Sequence, residues 1–156
     1  MLRIGSGAGF AGDRIEPAKA LVEDANLNYL ILEGLAERTI ALAQKQKKQN
    51  PNLGYNEYLE ERIRHLLPSL LKDKVRLITN MGAANPISAA KKILEIAKSM
   101  NLTCKVAAIT GDDVMEKLDR HSKIMENNKK VYQYEPIISA NAYLGIEALL
   151  PALESD

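Results

Sequence analysis

Apolar residues in this chain fall into short compact runs separated by stretches of helical spacing. Leu2–Gly5, Tyr29–Leu32, Val75–Thr79 and Cys104–Thr110 read as strands, and Ile137–Ser139 as a fifth. Tyr29-Leu30-Ile31-Leu32 is apolar at every position, as a strand inside a parallel sheet should be. Between the strands, Pro17–Glu23 reads as a helix with proline in its first turn, where the missing N–H costs nothing. A second helix runs from Leu35 to Lys48. A third spans Glu57–Leu71, with Leu59, Ile63, Leu66, Leu67 and Leu70 on one face; Pro68 should bend or split it. Asn85-Pro86, a capping side chain before a proline, starts a fourth helix that carries Ile87, Ala90, Ile93, Leu94, Ala97 and Met100 towards the core. Asp112 is the expected cap of a helix reaching Glu126, and Ile146, Leu149, Leu150 and Leu153 predict a last amphipathic helix against the sheet.

Strand and helix in alternation predict one α/β domain over residues 1–156. The expected form is three-layered and Rossmann-like: a mainly parallel sheet with helices on both faces. Right-handed crossovers bring every strand's C-terminal end to one edge, where ligands bind in open α/β sheets. The stretches expected there are Gly5–Arg14, Glu33-Gly34, Asn80–Asn85, Gly111–Asp113 and Asn141–Tyr143, each polar or glycine-rich.

Composition narrows the function classes. The net charge is +1, from 21 basic and 20 acidic residues, which gives no support to a nucleic-acid partner. Lys45-Gln46-Lys47-Lys48 reads as a solvated helix end. A lone cysteine, Cys104, excludes an internal disulfide and fits a reducing compartment. No apolar run approaches a membrane span, and the N-terminus lacks a signal peptide's layout, so the expected location is cytoplasmic.

The first loop concentrates the candidate chemistry. Gly5, Gly7, Gly9 and Gly12 are four of the nine glycines, and they run into Asp13-Arg14. Such a loop can expose N–H groups to an anion. Gly7 to Gly12 also matches G-x-G-x-x-G, with Glu33 ending the next strand as a ribose-binding acid would. Against a dinucleotide, Pro17 delays the helix by a turn; an anion cradle and a purely structural glycine loop are the other readings.

The remaining candidates each have a plain alternative. Arg14 offers a fork to a carboxylate or phosphate, or pairs with Asp13. Glu33 is a general base or metal ligand, or else an acid that holds loop amides. Asn80 and Asn85 flank a loop of small residues that lets a ligand near the backbone, with Asn85 also the helix cap. Asp112-Asp113 reads as cap and first-turn charge rather than as a metal site. His65 and His121 lack partners at ligand spacing, and Cys104 reads as a core thiol. No nucleophile elbow, HExxH, CxxC or Walker loop occurs.

Several stretches, in order, resemble the N-terminal part of the acyclic terpene utilisation (AtuA-like) family. They are Ile4-Gly5-Ser6 with Gly9-Phe10 and Gly12-Asp13-Arg14, then Leu30 to Glu37, then Gly54-Tyr55. Thr79 to Pro86, Thr110 to Asp113 and Ser139 to Gly145 complete the set. Family members are longer, so the chain is expected to be a fragment, a separately encoded piece or a short relative, its sheet lacking a terminal strand. The family's opening loop is not usually so rich in glycine, which counts against the dinucleotide reading. The resemblance implies a link to degradation of branched terpenoids through CoA thioesters, and it names no reaction.

The combined expectation is an enzyme, reaction class open, acting on a small anionic carboxylate or acyl-CoA-type substrate. Ser6, Gly7, Gly9, Gly12 and Arg14 would hold its anionic group and Asp13 and Glu33 would move protons. Asn80, Asn85, Asp112 and Asn141 would orient polar groups. No cofactor is named and no metal is expected. The alternative is a non-catalytic subunit that completes its sheet with a sister chain or a second copy.

Overall fold

The computed structural model describes residues 1–155 and divides the chain into two compact units, 1–108 and 109 onward. The first unit is built on β2 (Tyr29–Leu32), whose Leu30 and Leu32 are fully buried while Tyr29 and Ile31 are half-buried. On one side β2 pairs in parallel with β1 (Ile4–Ala8), and on the other with β3 (Arg76–Thr79), giving a three-stranded sheet in the order β1-β2-β3. The protein is therefore mixed α/β with a parallel sheet, as the alternating pattern implied. A sheet this short fits one that lacks a terminal strand.

Strand β1 begins later and ends later than Leu2–Gly5, because it runs through the first glycines rather than stopping at them. The register slips between Ser6 and Ala8, so Gly7 sits in a bulge. A Cβ at Gly7 would stand 2.8 Å from the Ala18 methyl and 2.9 Å from Leu32, so only a bare backbone lets the helix that carries Ala18 lie this close to the sheet. Helix α1 (Glu16–Asp24) carries Pro17 in its first turn and buries Ala18 and Val22.

Helix α2 (Glu37–Gln49) starts with Thr39 Oγ1 accepting from the Ala36 N–H at 2.7 Å. Helix α3 (Leu59–Lys72) buries Leu59, Ile63, Leu66, Leu67 and Leu70, the face expected of it. It runs through Pro68 without a break. Pro68 is exposed, so the carbonyl it leaves without a backbone donor is on the wet side of the helix while the buried face keeps its packing. Helix α4 (Pro86–Ser99) begins where expected: Asn85 Oδ1 accepts from the Ser88 N–H at 3.3 Å and Pro86 follows the cap. Helices α1, α3 and α4 share one apolar cluster with the sheet, and Ser69 Oγ donates to Glu23 across the α1–α3 contact at 2.8 Å.

The C-terminal third departs from the pattern. Residues 104–110 form no ladder, so the expected fourth strand is absent among the described residues. The helix expected from Asp112 to Glu126 is replaced by a single 3₁₀ turn, Met115–Lys117, and irregular chain. Side chains explain the loss. Asp113 Oδ1 accepts from the Met115 N–H at 3.1 Å, and Asp119 accepts from the His121 N–H and the Ser122 hydroxyl. These local bonds compete with helical ones. Ile137–Ser139 is not a strand; nearby, only an isolated antiparallel bridge joins Asp113 to Asn141. The final helix α5 (Leu149–Glu154) follows a 3₁₀ turn at Ile146–Ala148. None of the residues from 109 to 155 is buried.

Truncating Leu30 to Ala should cost about 2–5 kcal/mol in chemical denaturation, the range for a fully buried leucine. The same change at half-exposed Leu94 should stay within about 0.5 kcal/mol.

Candidate functional site

Parallel pairing brings the C-terminal ends of β1, β2 and β3 to one edge, and polar side chains stitch them together there. The Glu33 N–H donates to the Ala8 carbonyl at 3.1 Å, joining β2 to β1. The Gly34 N–H donates to Asn80 Oδ1 at 2.8 Å, and Asn80 Nδ2 donates to Glu33 Oε1 at 3.1 Å, joining β2 to β3. Glu33 Oε1 also accepts from the Leu35 N–H at 2.8 Å. Below them, Thr79 Oγ1 donates to the Leu32 carbonyl at 2.7 Å. Glu33 is half-buried and its carboxylate is held in a fixed orientation by one side-chain and one backbone donor.

The glycine-rich loop is organised from inside the chain. Asp13 Oδ2 accepts from the Gly9 N–H at 2.6 Å and from the Phe10 N–H at 3.2 Å. The carboxylate that the loop amides hold is thus the protein's own. Gly7 belongs to β1 and the strand's Ser6 is exposed; Gly12 lies four residues before α1, which has no side-chain cap. This spacing departs from a dinucleotide fingerprint, whose last glycine lies inside the helix. Arg14 is exposed and makes no ion pair or hydrogen bond among the described residues, so it does not pair with Asp13.

Asn85 is buried and turned inward: Nδ2 donates to the carbonyls of Pro51 at 2.8 Å and Leu53 at 2.7 Å, and Oδ1 caps α4. Its amide locks the 51–54 loop to the start of α4. Asp112 and Asn141 are neighbours within the second unit. There Asn141 Nδ2 donates to Asp112 Oδ2 at 2.9 Å, and the Ala142 N–H donates to the Asp112 carbonyl at 2.7 Å. Asn141 Oδ1 is buried without a partner among the described residues. The candidates therefore form two groups: Asp13, Glu33, Asn80 and the glycine loop in the first unit, and Asp112 with Asn141 in the second. Among the described residues, no three of His, Cys, Asp and Glu gather as metal ligands.

Two residues of the rim escaped sequence reasoning. Asn56 sits against Gly34 and takes the Met81 carbonyl through its backbone N–H at 2.8 Å. Arg62 is 3% exposed, and its Nη2 donates to the carbonyls of Ala11 at 2.8 Å and Asp13 at 2.7 Å, clamping the loop from below. Its signal was present: a cation set between Leu59, Ile63 and Leu66 on the apolar face of a helix. Cys104 is half-buried beside an open cavity of about 460 Å³ lined by Leu94, Lys98 and Leu102, and burial raises its thiol pKa above the ordinary value.

Residues 2–156 match the family model described as acyclic terpene utilisation family protein AtuA. No curated protein and no solved structure matches the chain.

Replacing Asp13 by Ala should cost about 1.5–3 kcal/mol, the worth of hydrogen bonds to a charged group, and should speed amide exchange at Gly9 and Phe10. Because burial pushes the Cys104 thiol pKa up, iodoacetamide at pH 8 should label it more slowly than the same residue in the unfolded chain, a ratio read by mass spectrometry.

Proposed function

The chain belongs to the acyclic terpene utilisation (AtuA) family, and on that premise we propose that it is an enzyme, or the substrate-holding part of one. Its substrate is a small carboxylate or an acyl-CoA-type compound, bound along the edge where the three strands end. The observation that carries this reading is the Glu33–Asn80–Gly34 network at that edge, next to the loop bound by Asp13. A carboxylate fixed by two donors through Oε1 is positioned for proton transfer rather than free to wander. Glu33 takes the proton-transfer role and Asp13 is the second carboxylate available. Asn80 orients Glu33, and the exposed Arg14 attracts the anionic end of the substrate through the glycine loop of Gly7, Gly9 and Gly12, with Ser6 beside it. Within the second unit, Asp112 and Asn141 form a separate polar pair whose amide oxygen can accept from a donor of its own. The setting is cytoplasmic, in keeping with a lone thiol.

A second reading has its own observation. β1 and β3 are the edges of the sheet, and the strand-like residues 104–110 pair with neither. Unpaired edges recruit other strands, so the chain would serve as a subunit whose sheet is completed by a sister chain or a second copy.

A thermal-shift screen separates the possibilities. A short acyl-CoA or a small carboxylate at a hundred times its dissociation constant should stabilise the protein by about 2.7 kcal/mol, whereas NAD should leave it unchanged. Stabilisation by NAD alone would overturn the substrate class. Light scattering after size exclusion tests the subunit reading: a monomer at every concentration removes the second-copy form of it.

A further inference from the structure

The apolar face of α3 is broken by one cation, and that cation is incompletely matched. Arg62 lies between Leu59, Ile63 and Leu66 and is 3% exposed. Its Nη2 holds the carbonyls of Ala11 and Asp13, and the Tyr58 ring lies 5.6 Å from the guanidinium carbon. Nη1 is equally buried and donates to no atom of the described residues. Among the described residues Arg62 is in no ion pair of the kind that joins Lys19 to Glu23, Lys92 to Glu95 and Arg120 to Glu135. Asp13, the acid of the overlying loop, turns its side chain to Gly9 and Phe10 and gives Arg62 only its backbone oxygen.

A guanidinium stays charged at any pH a protein survives, so it cannot relieve burial by losing a proton. Two carbonyl dipoles and a ring face offset part of the desolvation but supply no negative charge. A buried cation of this kind, with one donor unmatched and set under a loop that ends in an exposed arginine, is half of a charge-assisted fork. The loop amides are already held by Asp13, so an incoming anion meets charge here rather than N–H groups.

We propose that Arg62 Nη1 receives an anionic oxygen, of a carboxylate or a phosphate, entering beneath the 9–14 loop. Arg62 is then the residue that reads the substrate's charge, while Arg14 attracts it from outside. The inference rests on the reading of this edge as a small-anion site.

Calorimetric titration of the full chain with sodium acetate, and separately with inorganic phosphate, at fixed ionic strength in chloride, tests it. The wild type should bind one of the two saturably, and which one tells a carboxylate from a phosphate site. Arg62→Met should weaken that binding by about tenfold to a hundredfold, the worth of a charge-assisted bond. Lys48→Gln, an exposed charge at the end of α2 outside the site, should change it by less than about threefold, as a screened surface charge does. Undiminished binding by Arg62→Met overturns the inference, Nη1 then being met by a trapped water only, and leaves the edge reading standing. No saturable binding of either anion by the wild type overturns both. Should Arg62→Met fail to fold, the side-chain Nε–H resonance of Arg62 in labelled wild type decides: a shift saturating with the calorimetric constant supports the inference, and an unmoved resonance overturns it.

Discussion

Parallel strands cannot be joined by a tight turn; each must return to its starting end by a crossover. That requirement is what gathers this protein's polar loop ends on one edge. With β1, β2 and β3 all running the same way, three loops that are far apart in sequence emerge side by side. Asn80 reaches Glu33 and Gly34 only because the register sets Thr79 opposite Leu32. A slip of one residue would move both side chains off that edge.

Around that edge the chain answers its own polar groups almost completely. Asp13 takes loop amides, Arg62 takes loop carbonyls, and Asn85 ties a distant loop to the head of α4. The glycines let the backbone fit this scheme, most clearly at Gly7, where a methyl group would collide with α1. The glycine loop is a braced element, and one exception stands out against it: Nη1 of Arg62. Groups left unmatched inside a well-matched region are where a partner molecule has something to gain.

What the sequence made legible follows the range of the forces involved. The uninterrupted apolar run of β2, the leucine face of α3 and the Asn85-Pro86 start of α4 are local signals, and each produced its element. Strand residues 104–110 have the right side chains but need a neighbour to bond with, and composition cannot supply one. The helix expected from Asp112 was lost for a local reason: Asp113 and Asp119 each accept from the N–H two residues on, and such bonds compete with helical ones. At the site, Glu33 and Asn80 could be placed at strand ends, but their mutual bond depends on register. Arg62 was visible as an interruption in a leucine face, although nothing in the sequence told which carbonyls it would hold.

The absence of any buried residue between 109 and 155 bears on how the molecule answers to heat. The heat-capacity step on unfolding grows with the apolar area newly wetted. The second unit keeps its apolar side chains at best half-buried, so each of its residues adds less to that step than a residue of the sheet and its helices.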